Sequence, residues 1–155
     1  MQPFRVVLIE PEIPMNTGNI GRTCVGLGAE LHLVGELGFL ITDRRLKRAG
    51  LDYWPHLNFT HHKKWDDWWE KVEDPSRVFF FSTKAKRSYF EVDYRPGDWF
   101  VFGKETVGLG PEIVNKFTDS LLKIPMTGPI RSLNLATSVA VVLFEGFRQL
   151  DNPPE

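Results

Sequence analysis

The stretch WFVFGKETVGLGPEIVNKF, residues 99–117, passes from four consecutive apolar residues through a polar, glycine-bearing loop into a segment with apolar residues at helical spacing. An apolar run without period-2 alternation suits a strand covered on both faces, as in a parallel sheet. The reading is therefore a strand at 99–102, a ligand-accessible loop and a helix at 111–117. The same alternation repeats outward. Strands are expected at Phe4 to Ile9, Glu30 to Val34, Val78 to Ser82 and Leu121 to Ile124. Helices are expected at Asn16 to Leu27, Asp43 to Ala49, Lys63 to Val72 and Ser132 to Leu150. Strands alternating with helices predict an α/β fold, a mostly parallel sheet flanked by helices. No repeat or linker interrupts the pattern, so residues 1–155 read as a single domain, with 151–155 a loose tail.

Composition sets limits on function. The chain has 155 residues, with 19 Lys and Arg against 20 Asp and Glu, a formal net charge of −1. Hydrophobic residues make up 42% and charged residues 25%, which excludes a disordered chain. The single cysteine, Cys24, excludes a disulfide framework, a zinc ribbon and a thioredoxin-type pair. It points to a reducing compartment. The opening MQPFRVVLIEPE reaches Glu10 and Glu12 after a short apolar run, so it reads as neither a signal peptide nor a membrane span. A cytoplasmic protein without membrane contact is expected. The near-zero net charge argues against a broad basic coat but allows local basic faces, at Arg44, Arg45, Lys47 and Arg48, at Lys63 and Lys64, and at Lys84, Lys86 and Arg87. Adjacent His61 and His62 lack a third ligand nearby in the sequence, and no metal is expected.

Three loops follow apolar strands, where open α/β sheets bind their ligands. In the loop after Phe102, Gly103-Lys104 suggests a phosphate-binding P-loop. However, Asp98 stands where the first glycine belongs, and Glu105 where Ser or Thr belongs. The dinucleotide fingerprint also fails, because Gly26-x-Gly28 closes a helix and Leu31 occupies the third glycine position. What is left is a backbone able to approach a ligand at Gly103, Gly108 and Gly110, with the Glu105 carboxylate among them. The first loop, EPEIPMNTGNIGRT at 10–23, offers Asn16 or Thr17 as a helix cap and places Arg22 about two turns in. The third, IPMTGPIRSLNLATS at 124–138, leads into a helix read as starting at Ser132. There Ser132 and Asn134 serve equally as caps or as site residues. That helix is apolar on nearly all sides and needs either the core or a second subunit to cover it. The stripe Trp65, Trp68, Trp69 and Val72 is read as core packing in preference to base stacking.

Taken together, the blocks EPEIPMNTGNIGRT (10–23), RRLKRAGLDY (44–53), FGKETVGLG (102–110) and IPMTGPIRSLNLATSVAV (124–141) resemble the SPOUT class of RNA methyltransferases. Within it they resemble the small tRNA 2′-O-ribose methyltransferases acting on the wobble nucleotide, and the likeness covers almost the whole chain. The chain departs from that pattern at Lys104, where Pro or Ser is usual, and at Val107, where a basic residue is common. The resemblance implies a C-terminal trefoil knot, which general topology rules would not suggest. It also implies a homodimer, a tRNA substrate, and the cofactor S-adenosylmethionine (AdoMet), converted to S-adenosylhomocysteine without a metal. The implied cofactor residues are Phe81, Ser82, Thr83, Gly103, Glu105, Ile124, Met126, Ser132 and Leu133. The implied catalytic residues are Arg22, Glu105, Ser132 and Asn134. Asn16, Arg22, Arg44, Arg45, Lys47 and Arg48 are expected to contact RNA. The family gives the proton-accepting role to the arginine at 22, although guanidinium stays protonated. A phosphate-binding, alkoxide-stabilising Arg22 is the preferred reading. The alternatives are a knotted RNA-binding module without turnover, a methyltransferase for another tRNA or rRNA site, and, less favoured because the fingerprints fail, a nucleotide-binding oxidoreductase.

Overall fold

The computed structural model describes residues 2–42, 44–49 and 52–150, apart from the side chains of Lys47 and Ala49; the expected tail at 151–155 and the expected helix residue Asp43 lie outside these. Six strands, β1 (Arg5–Ile9), β2 (Glu30–Val34), β3 (Phe59–His62), β4 (Val78–Phe81), β5 (Trp99–Phe102) and β6 (Leu121–Leu122), pair in the order β3-β2-β1-β5-β4-β6. Every pair is parallel. The helices are α1 (Pro14–Leu27), α2 (Arg44–Ala49), α3 (Trp65–Trp69), α4 (Pro111–Lys116) and α5 (Leu135–Leu150). From β1 the order runs outward through β2 to β3 on one side and through β5 and β4 to β6 on the other, so the order reverses at β1.

The period of two along each strand divides the apolar runs between two layers. Val6, Leu8, Phe79, Phe81, Phe100 and Phe102 join one core with α1 and α5, through Ile20, Cys24, Val139, Val142 and Leu143. Val7, Ile9, Val78, Phe80, Trp99 and Val101 join the other, with Trp65, Trp68, Trp69 and Val72 from α3 and the turn after it, and Ile113, Val114 and Phe117 from α4 and its end. The tryptophan stripe is core. Gly146 lets α5 lie close to the sheet, since a Cβ there would stand 2.9 Å from the Phe4 ring.

Several boundaries differ from expectation. Helix α1 starts at Pro14 with Ile13 at its cap position, so Asn16 and Thr17 lie buried inside its first turn and do not cap it. Helix α5 starts at Leu135, not at Ser132, and its cap is Asn134, whose Oδ1 accepts from the amides of Ala136 and Thr137. Only one side of α5 packs on the sheet: Phe144 and Phe147 are 55% and 41% exposed. Strand β3 was not expected, because FTHH has no apolar run.

Its His62 is buried and meets His32 of β2, with Nδ1 of His32 2.9 Å from Nε2 of His62. The other nitrogen of His32 lies 3.0 Å from the Glu30 carboxylate. Burial is the main cause holding both imidazoles below their ordinary range. The unfolded chain therefore takes up protons that the folded chain does not, and stability falls as pH drops below about 6.5. The urea midpoint at about pH 5.5 should be lower than at about pH 7.5. Equal midpoints would show that the pair accepts protons without cost.

Candidate active site

A cavity of about 430 Å³ opens at the carboxyl ends of β4, β5 and β6, within the size range of small-molecule sites. Three sequence-distant segments wall it. Phe81, Ser82 and Thr83 come from the end of β4, Gly103 and Glu105 from the loop after β5, and Ile124, Met126, Ser132 and Leu133 from the segment between β6 and α5. That last segment is threaded against the loop after β4: Ser82 N donates to Leu122 O, Lys123 N to Arg87 O, and Tyr89 N to Lys123 O, each at 2.9 Å.

The loop after β5 is folded back on itself. Gly108 N donates to Lys104 O at 2.8 Å, and Gly108 takes a φ of +69°, a conformation natural for glycine. The turn brings the 108–109 backbone so close to Gly103 that no side chain fits there.

Glu105 is not a solvated carboxylate. Its oxygens accept from the amides of Glu12 (2.8 Å) and Ile13 (2.7 Å), which lead into α1, and from Nδ2 of Asn16 (3.3 Å). A carboxylate from another segment thus satisfies the amides at the threshold of α1 and places negative charge at its positive end. Because a carboxylate only accepts, it fixes the Asn16 amide with its oxygen turned away. That oxygen accepts from Nδ2 of Asn134 (3.1 Å), whose own oxygen caps α5. One line of hydrogen bonds therefore joins the loop after β5, the start of α1 and the start of α5. A return contact closes it: Thr106 donates through both N (3.0 Å) and Oγ1 (2.7 Å) to Oε1 of Glu12. These bonds hold the Glu12 carboxyl below its usual range. Sequence reading missed Glu12 and Thr106, since nothing at positions 94 residues apart signals a pair.

Asn16 and Asn134 also line the cavity, whereas Arg22 does not. Arg22 is exposed on α1, its guanidinium 5.6 Å from the centre of the Tyr53 ring. Arg44, Arg45 and Arg48 are exposed on α2, which is anchored by buried Leu46, and they do not line the cavity. The side chain of Lys47 lies outside the described residues. Among the described residues, no group of three or more His, Cys, Asp or Glu side chains could hold a metal ion. Burial pushes the Cys24 thiol up to about 12, leaving it un-ionised at neutral pH.

A parallel sheet with a loop-walled cavity at the carboxyl ends of β4, β5 and β6 defines an α/β protein whose pocket lies where open sheets of this kind bind their ligands. The chain belongs to the SpoU rRNA Methylase family, whose sequence pattern matches residues 3–144. It is 47% identical over 148 residues to a tRNA (cytidine(34)-2′-O)-methyltransferase of Burkholderia pseudomallei (strain 1106a), covering 94% of this chain and 95% of that one. A solved structure described as "Structural insights into the 2-OH methylation of C/U34 on tRNA" superposes with a TM-score of 0.89 at 44% identity, covering 97% of each chain. An AdoMet-bound rRNA methyltransferase from Sinorhizobium meliloti superposes with a TM-score of 0.84 at 26% identity, over 96% of this chain and 57% of that one.

Proposed function

We propose that this protein methylates the ribose 2′-hydroxyl of the wobble nucleotide of tRNA, cytidine or uridine 34, using AdoMet. The observation that carries the reading is the convergence of residues 81–83, 103–105 and 124–133 on one cavity. AdoMet fits these residues. The volume suits a molecule of its size, Phe81, Phe102, Leu122 and Ile124 offer an apolar bed, and Ser82, Thr83, Ser132 and the loop backbone offer hydrogen bonds. Bound there, it would supply a methyl group made electrophilic by a cationic sulfur. A neutral hydroxyl is a weak nucleophile, so the protein must stabilise the negative charge that develops on its oxygen. Arg22 is the group for this, through a bidentate contact with an adjacent phosphate. Asn16 and Asn134 hold the starts of two helices at the cavity wall, so the ribose can be aligned with the methyl donor.

The domain is proposed to act as a cytoplasmic homodimer. Helices α1 and α5 form one layer and expose Met15, Phe144 and Phe147 on it, an apolar surface that a second copy would cover. Arg22 does not line the cavity of its own protomer, so its role requires a second copy paired through this layer to bring it to a site. No helix of the described residues is long and apolar enough to cross a membrane.

The test is incubation of purified protein with AdoMet and unmodified tRNA, followed by mapping of ribose methylation. Methylation at nucleotide 34 is expected. Methylation elsewhere, or none, would overturn the reading. Sedimentation should give twice the monomer mass, and a fully active monomer would remove the dimer. Lysine at position 22 keeps the charge but loses the fork, so Arg22→Lys should lower turnover about tenfold, roughly 1.4 kcal/mol in the barrier. Wild-type turnover would exclude the bidentate contact.

Asn134→Asp and Asn134→Ala separate capping from positioning. Aspartate still caps α5 but turns an oxygen toward Oδ1 of Asn16, whereas alanine removes both contacts at about 0.5–2 kcal/mol. Both should lose about tenfold in turnover and lower the melting temperature, aspartate through two acceptors that face each other and alanine through the lost cap. Full turnover by Asn134→Asp would show that the Asn16 contact does not matter for the reaction.

A further inference from the structure

Lys84, Lys104, Lys123 and Arg131 also line the cavity: Lys84 after β4, Lys104 after β5, and Lys123 and Arg131 both from the segment between β6 and α5. Glu105 is the sole carboxylate in the lining, and its oxygens already accept from Glu12, Ile13 and Asn16. Lys104 is loosely paired, its Nζ 3.8 Å from the Glu10 carboxylate. Among the described residues, no carboxylate lies within ion-pair distance of Lys84, Lys123 or Arg131. In a chain of net charge −1, four cations have been gathered at one mouth. Lys84 belongs to the run Lys84, Lys86 and Arg87, whereas Lys104, Lys123 and Arg131 stand outside the basic runs of the sequence.

We propose that Lys84, Lys104, Lys123 and Arg131 receive the backbone phosphates of the RNA strand whose ribose enters the site. The inference rests on the methyltransferase reading above. A single small ligand does not account for the four charges. The one carboxylate of AdoMet needs a single cation, and the remaining positive charge would repel its sulfonium. A run of phosphates matches several cations converging from different segments, and it offsets that repulsion. The same field stabilises negative charge developing on a 2′-oxygen. Phosphate contacts of this kind fix the register of a strand without reading its bases, which suits a site accepting either pyrimidine.

The experiment uses the full chain and its Lys84→Gln/Lys123→Gln variant, two exposed or half-exposed changes that leave both cores untouched. Unfractionated tRNA is titrated at several KCl concentrations, and AdoMet and S-adenosylhomocysteine are titrated separately by calorimetry. Each phosphate contact with a single strand contributes about 0.7 to the slope of log affinity against log salt. The variant should therefore lose about 1.4 in slope and bind tRNA roughly tenfold more weakly. Its affinity for S-adenosylhomocysteine, whose sulfur is neutral, should stay within about twofold, and its affinity for AdoMet should be equal or higher. An unchanged slope overturns the proposal. So does a parallel loss of affinity for both cofactor forms, which would assign the lysines to the cofactor carboxylate. The two readings fail separately. A wild-type protein that shows this salt slope but methylates no tRNA refutes the reaction and leaves the phosphate site, while one that methylates with an unaltered variant slope does the reverse.

Discussion

Gly103→Ala should be the most damaging single-methyl change in the protein. A Cβ at this position would lie 2.0 Å from the carbonyl carbon of Gly108, 2.1 Å from the nitrogen of Leu109 and 2.4 Å from the oxygen of Gly108. All three are backbone atoms, so no side chain can swing aside, and the loop after β5 must move as a unit. Leu109 is buried in the core layer under α3 and α4, which resists that movement. The cost should exceed about 3 kcal/mol, beyond the usual range for overpacking a core. It should appear as a lower urea midpoint and, in protein still folded, as loss of AdoMet binding, because the displaced loop walls the cavity. Wild-type stability and AdoMet affinity together would show that the loop is pliant.

Glu105→Gln should separate shape from charge. Glutamine fills the same volume but turns an NH₂ group toward one of two amide donors, Glu12 N or Ile13 N. A donor facing a donor, together with a lost charge-assisted bond, costs about 1–3 kcal/mol. The larger effect should be on the reaction. With the NH₂ group at the position of Oε2, which binds both Ile13 N and Asn16 Nδ2, the Asn16 amide loses its fixed acceptor and turns over, which releases Asn134 and the start of α5. Turnover should fall on the order of a hundredfold, about 2.7 kcal/mol in the barrier. The affinity of the protein for tRNA at low salt should be little changed. Full turnover with reduced stability alone would make Glu105 a fastening of the loop and nothing more.

The fold was legible wherever the chain spends consecutive apolar residues. Strands β2 and β5 match their expected limits residue for residue, because ELHLV and WFVF leave little alternative to a strand covered on both faces. Strand β3 was illegible because an edge strand needs only one buried neighbour, and FTHH meets that need with a histidine pair. The helix starts were misplaced for a related reason. Capping rules look for a local Ser, Thr, Asn or Asp, whereas the cap residue of α1 is Ile13, held through its amide by Glu105 from across the molecule, and at α5 the sequence offered Ser132 and Asn134 equally. The nine residues around the cavity were identified by resemblance. Nothing in the periodicity of 81–83, 103–105 or 124–133 says that they meet. The Glu12 and Thr106 clasp and the convergence of four cations needed the three-dimensional arrangement.

The two borders of the sheet bear on how the chain behaves when crowded. At one end, β3 carries half-buried Phe59, exposed Thr60, half-buried His61 and buried His62 and runs directly into Lys63 and Lys64; at the other, β6 pairs through only two residues before the segment turns into the cavity wall. Neither offers the long, flat row of unpaired amides that recruits strands from neighbouring molecules. Sheet extension into fibrils is thereby discouraged by the two borders themselves.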